Sequence, residues 1–230
     1  MPKIRFSEFS ASSAYLYSLS FGQTRPAFWG KHTIFAVVEN SKDFEKDIAA
    51  CLTTLQAGGL LLYPTDTIWG IGCDATNPDA VKKVYALKQR AESKSLIVLM
   101  ADQRDILKYT SQPDLRIFDF LSTTHKPTTI IYEGAMGLAD NLVNADGTIA
   151  IRLVDEPFCR HLIKRFRKPI VSTSANLSGD PSPAIFKDID SRIKAGVDYV
   201  VQYRQDDDSP RQSSAILKWH SDGNVTVIRP

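Results

Sequence analysis

The chain has 230 residues, 43% of them apolar and 23% charged, with 28 basic and 26 acidic side chains. Such a chain can bury roughly 70% of its unfolded surface without staples, and the balance excludes collagen-like, coiled-coil and wholly disordered polymers. No run of about 18 apolar residues is present to span a membrane. The three cysteines, Cys51, Cys73 and Cys159, are far apart and form no CxxC pair. That argues against a disulfide scaffold or a structural zinc site and for a reducing compartment, the cytoplasm.

Residues 1–41 read as an N-terminal extension, with six serines between Ser7 and Ser20. Lys3 and Arg5 precede no apolar core, so a secretory signal is not expected. A transit peptide, a start placed too far upstream and a family-specific arm all remain open for this stretch. Residues 42–230 read as one domain. Phe44, Ile48, Cys51, Leu52 and Leu55 recur at helical spacing, and Gly58-Gly59 ends that helix. Leu60–Tyr63 reads as a buried strand stopped by Pro64. Asn77-Pro78 starts a helix whose stripe is Val81, Val84 and Tyr85. Then follow a strand over 95–100, a short helix over 102–109, a helix over 115–121 and strands over 128–132 and 148–151. A helix carries Phe158, Leu162, Ile163 and Phe166. Strands over 169–172, 197–203, 214–219 and 225–228 complete the chain. Helices alternating with strands predict an α/β class with a mixed, largely buried sheet.

Gly70-Ile71-Gly72-Cys73-Asp74-Ala75 fits a dinucleotide fingerprint, but it neither follows a strand directly nor opens a helix, so no such site is expected. No phosphate-binding P-loop sequence and no nucleophile elbow occur. His32, His125, His161 and His220 show no metal-ligand spacing, so no protein side chains are assigned to a metal. Lys88 continues the stripe of its helix to the C-terminal end, and Arg90 and Lys94 follow at once. Three close cations either fan into water or hold an anion such as a triphosphate, which also suits arginine geometry. The small polar run Ser172–Asn176 follows a strand, where α/β folds place ligands. Thr65 and Thr67 lie after a strand and can offer hydroxyls on one face. Arg152 follows the 148–151 strand and can anchor a salt bridge or clamp a carboxylate. The runs 82–94 and 160–168 carry five Lys or Arg each, against one acid and none.

Tyr63–Gly70 (YPTDTIWG), Leu87–Arg90 with Lys94 and 96–99 (LIVL), Lys126–Thr129 (KPTT), Ala150–Arg152 and Val171–Gly179 (VSTSANLSG) together resemble the YrdC/Sua5 family, the threonylcarbamoyl-AMP synthases. The resemblance covers roughly 44–230 and is to the short, single-domain bacterial form. Two departures bear on the amino-acid pocket: Leu99 stands where the family often has histidine, and Lys126-Pro127-Thr128-Thr129 where it often has Gly-Pro-Leu-Thr. The resemblance implies a twisted sheet flanked by helices around a positive concave cavity. It implies a synthase that makes threonylcarbamoyl-AMP and pyrophosphate from L-threonine, bicarbonate or CO2, and ATP with Mg2+, for t6A modification of tRNA by a downstream transferase complex. On it, Lys88, Arg90 and Lys94 are the triphosphate clamp. Ser174 and Asn176 are donors near the α-phosphate or adenosine, with Lys88, Arg90, Ser174 and Asn176 the catalytic set. Thr129, Arg211 and Ser214 join the ATP contacts. Thr65, Thr67, Arg152 and Ser174 form the threonine pocket. Neither Lys88 nor Arg90 is a core apolar residue, so alanine at either is expected to leave the fold intact. Two other readings stand beside this one: a module binding tRNA or double-stranded RNA through its basic runs, and carbamoyl-adenylate chemistry on another acceptor.

Overall fold

The computed structural model describes residues 44–91, 95–220 and 222–230. The extension expected over 1–41, Lys94 and His32 lie outside the described residues. Helix α1 (Glu45–Gln56) forms on the expected stripe, with Phe44, Ile48, Cys51 and Leu55 buried. Glu45 and Asp47 sit in its first turn, where carboxylates meet the positive end of the helix dipole. Strands β1 (Leu61–Tyr63) and β2 (Gly70–Gly72) follow. Helix α2 (Pro78–Leu87) is capped by the Asn77 side chain, which accepts from the amides of Asp79 and Ala80.

Strand β3 (Ile97–Met100), helices α3 (Gln103–Tyr109) and α4 (Arg116–Thr123), and strands β4 (Thr128–Tyr132) and β5 (Ile149–Leu153) come next. Helix α5 (Pro157–Phe166) is capped by Glu156, which accepts from the Cys159 amide. Phe158 on α5 packs edge-on against Phe44 at 5.7 Å, joining α5 to α1. Strand β6 (Ile170–Ser174), helix α6 (Ser191–Ala195) and strands β7 (Tyr199–Val200), β8 (Ala215–Trp219) and β9 (Val225–Arg229) complete the domain.

The nine strands of the described residues join one mixed sheet in the order β7-β1-β2-β6-β3-β5-β4-β8-β9. The class is α/β, as the sequence predicts, but several elements differ from the expected ones. β2 falls in a stretch read as loop, because two glycines in three residues carry little strand propensity. Those glycines serve packing: a Cβ on Gly72 would lie 2.5 Å from the Val171 carbonyl and 2.6 Å from the Tyr63 ring. β5 runs through Arg152 instead of ending before it, and β6 runs on through Ser174. β7 shrinks from the expected 197–203 to two residues, because the backbone amides of Gln202 and Tyr203 bond the Asp47 carboxylate rather than a strand.

Register decides which side chains share a face, since directly paired residues point the same way. Ser174 is paired with Gly70 and Ser172 with Ile97. Arg152 lies between Leu99 and Thr129. Thr129 is paired in turn with Ile216, and Ile216 with Arg229. One face of the sheet therefore carries a row of polar side chains across β6, β5, β4 and β9. The alternate positions Val98, Ile130, Ile151 and Val171 are at most 1% exposed and form the apolar core.

Candidate functional site

A pocket of about 160 Å³ opens on the polar face. Arg90, Arg152 and Arg229 line it together with six serines, and no carboxylate of the described residues does. Like charges gathered without an acid repel one another unless an anion or water lies between them. Burial, and to a smaller extent the charge of Arg152, hold Arg229 below the usual guanidinium range.

Arg152 is 4% exposed in the middle of a central strand. One of its terminal nitrogens lies 3.1 Å from Asp66 Oδ1 and 3.5 Å from Thr65 Oγ1. Its Nε has no hydrogen-bond partner among the described residues. A buried donor without an acceptor is costly, so an acceptor from a ligand is the expected complement. The loop before β2 is organised by Thr65, whose hydroxyl donates to the Ile68 carbonyl at 2.8 Å and accepts from the Thr67 amide at 3.0 Å. Thr67 lines the pocket, while Thr65 stands behind it. Arg90 donates to the Ser95 carbonyl at 2.9 Å. Arg229 donates from Nε to the Ser214 carbonyl at 2.9 Å.

Of the residues expected at the site, Thr67, Arg90, Arg152, Ser174 and Ser214 line this pocket. The other described ones stand apart from its wall. Lys88 is 1% exposed, and its ammonium donates to the Ser174 carbonyl, the Asn176 carbonyl at 2.6 Å and Asn176 Oδ1 at 3.3 Å. Burial first, and the charge of Arg90 second, push it down to about 8. Asn176 in turn donates from Nδ2 to the carbonyls of Leu177 at 3.0 Å and Asp180 at 2.6 Å. Both side chains are spent on holding the loop that presents Ser174. The expectation that alanine at Lys88 leaves the fold intact is therefore corrected, because that ammonium satisfies two carbonyls inside the protein. Thr129 is fully buried and shares a hydrogen bond of 2.9 Å with Ser214. Arg211 pairs with Asp207 at 3.2 Å.

Ser172, from the small polar run noted in the sequence, lines the pocket too, and so do Arg229, Ser182 and Ser213, which the sequence does not single out. Spacing alone misplaces Arg229: it falls in step with Val225 and Val227, but a bulge between Ile216 and Leu217 turns it to the polar face opposite Ile216. Ser182 and Ser213 lie outside regular structure, where spacing carries no information. Larger grooves exist elsewhere, including one of about 550 Å³ at the far end of β3 that includes Arg104, Lys108, Lys164, Arg167 and Lys168. It holds none of the residues expected at the site. Neither pocket is lined by a histidine.

The family model of Sua5, YciO and YrdC, described as telomere recombination, matches residues 53–230. A protein of Pseudoalteromonas translucida named threonylcarbamoyl-AMP synthase is 33% identical over 160 residues, 68% of this chain and 86% of its own. One of the same name from Vibrio parahaemolyticus is 36% identical over 146 residues, 62% of this chain and 78% of its own. Among solved structures, P. abyssi Sua5 complexed with L-threonine superposes with a TM-score of 0.71 at 20% identity. That match covers 81% of this chain but 54% of the Sua5 chain, so this protein spans about half of that longer one. The polar sheet face with its arginines, the shared fold and a family match over residues 53–230 agree: this chain belongs to the Sua5/YciO/YrdC family.

Proposed function

We propose that this protein is a threonylcarbamoyl-AMP synthase, joining L-threonine, bicarbonate or CO2, and ATP into threonylcarbamoyl-AMP and pyrophosphate. The observation that carries the reading is the meeting of Arg90, Arg152 and Arg229 with the Ser174 and Ser214 hydroxyls in one carboxylate-free pocket, in a chain whose relatives bear that name. The amine of threonine adds to CO2 and loses a proton, giving a carbamate. A carbamate oxygen then bonds to the α-phosphorus, and the bond to the bridging oxygen breaks with pyrophosphate leaving. Negative charge grows on the α-phosphate and the leaving group, so preorganised donors lower the barrier more than a strong base would.

Arg152, through its unpartnered Nε, takes the threonine carboxylate, with Thr67 beside it and Thr65 holding both. Arg90, with Lys94, takes the triphosphate. Ser174 donates at the α-phosphate, held there by Lys88 and Asn176. Thr129 fixes Ser214, and Arg211 with Ser214 closes over the nucleotide. Arg229 adds a third positive charge. At about 160 Å³ the pocket is below the roughly 300 Å³ of an ordinary ligand cavity. It suits the amino-acid end, with the nucleotide reaching past its rim. Mg2+ arrives with ATP and supplies charge neutralisation on the phosphate oxygens, since the pocket's donors are hydroxyls and guanidiniums rather than carboxylates. The adenylate feeds t6A formation in tRNA through a downstream transferase complex. Three buried free thiols suit a cytoplasmic setting, and no described helix is long and apolar enough to cross a membrane.

Incorporation of labelled bicarbonate into an adenylate tests this. Label appearing in threonylcarbamoyl-AMP only when threonine is present supports the reading, and label appearing without threonine moves it to another acceptor. One observation favours a second reading, binding of tRNA or double-stranded RNA: the groove holding Arg104, Lys108, Lys164, Arg167 and Lys168. RNA affinity that falls steeply with salt is its signature.

A further inference from the structure

Arg204 has a backbone conformation that few side chains adopt, with φ +65°. Such strain, of order 1 kcal/mol or more, persists only where the surroundings over-determine it, and it clusters at functional sites. The surroundings here are specific. Just before Arg204, the amides of Gln202 and Tyr203 bond the Asp47 carboxylate at 3.0 and 2.9 Å. The Tyr203 ring packs against Phe44 and Phe158 at 5.1 and 6.0 Å. With the chain pinned there, the left-handed turn throws the Arg204 side chain back under the loop that carries Thr65, Asp66 and Thr67.

The guanidinium is 15% exposed and touches three parts of the molecule. Its Nη1 donates to the Thr65 carbonyl at 3.2 Å and lies 3.7 Å from Glu156 Oε1, the N-cap of α5. Its Nε and Nη2 donate to Asp207 Oδ2 at 3.2 and 3.0 Å. Asp207 also holds Arg211 and accepts from the Ser209 amide at 3.1 Å. One side chain thus ties the Thr65–Thr67 loop to the segment that leads to Ser213 and Ser214.

We infer that Arg204 is a positioning residue for the amino-acid substrate: it fixes the Thr65 carbonyl, and through that loop fixes Thr67 and the Asp66 carboxylate that orients Arg152. The inference rests on the proposed synthase reading and deepens it. Arg90 and the Lys88-held loop sit on other elements, so Arg204 acts first on the amino-acid end, and its one link toward the nucleotide end runs through Asp207 to Arg211. Arginine is costly at this backbone angle and glycine is not, so Arg204→Gly relieves the backbone while removing the tie.

The test is pyrophosphate release by wild type, Arg204→Gly and Asp207→Asn, varying threonine at saturating ATP and then ATP at saturating threonine, with melting temperatures alongside. A lost positioning contact should raise the KM for threonine about tenfold in Arg204→Gly, with its KM for ATP within about twofold of wild type, and should raise the KM for threonine by less in Asp207→Asn, where the released Arg211 also moves the KM for ATP. A threonine KM unchanged in both variants overturns the inference, as does a parallel rise in both KM values that tracks a fall in melting temperature. If Arg204→Gly does not fold, Asp207→Asn decides by the KM for threonine alone, an unchanged value overturning the inference. Wild type that releases no threonine-dependent pyrophosphate overturns the synthase reading and this inference with it, whereas an active wild type with unaffected variants overturns this inference alone.

Discussion

Arg152 and Lys88 are both buried cations, and their surroundings give them opposite roles. Arg152 keeps an unpartnered Nε beside a pocket, so replacement by alanine should remove the contact proposed for the threonine carboxylate. The expected result is a KM for threonine raised about tenfold or more, read as pyrophosphate release, together with a lowered melting temperature, because the nearly buried Asp66 carboxylate loses its partner at 3.1 Å. Lys88 faces carbonyls instead. Its replacement by methionine leaves the Asn176 carbonyl without its donor, at about 1–3 kcal/mol if it stays dry, and takes one of two donors from the Ser174 carbonyl, which still accepts from the Asn176 amide at 2.9 Å; denaturant unfolding measures the loss. The proton adds a second signature. The folded ammonium is pushed down to about 8 from 10.5, so between those values the unfolded chain binds more protons than the folded one. Stability of the wild type should therefore rise with pH across that window relative to Lys88→Met. A flat difference from pH 8 to 10.5 would show that Lys88 is not held as a buried cation.

Elements were read best where periodicity was long. Helices α1, α2 and α5 and strand β4 appear where their stripes or branched residues placed them, because a buried face must repeat. β2 was missed because its glycines answer to close approach rather than to strand propensity. Gly72→Ala is expected to destabilise by about 1–3 kcal/mol, since the added methyl meets a carbonyl and a packed ring, and thermal unfolding checks it. The arginine and serines of β5 and β6 were visible as residues, yet their shared face needed the register of strands far apart in sequence. Segment 201–214 lay furthest from reach. It leaves β7 and enters β8 seven strand spacings away in the sheet order, about 34 Å at normal spacing. Its anchor is Asp47, which accepts from the Tyr199 hydroxyl and the amides of Gln202 and Tyr203. Asp47→Ala should cost about 3 kcal/mol, because three donors lose a charged acceptor together. The same variant should also weaken the pocket, since the segment it anchors carries Ser213 and Ser214.

At the scale of the molecule, the sheet divides its labour by face. One face is apolar core, and the other gathers three guanidiniums and six serines around one pocket. The net charge of +2 concealed it, since charge balance over the whole chain says nothing about charge within one pocket. The family match gives the site its chemistry. The most direct measurement is pyrophosphate release from the purified protein with ATP and Mg2+, omitting L-threonine and bicarbonate in turn. Release that requires both is expected, and release that persists without threonine, or its absence in the complete mixture, would contradict the account.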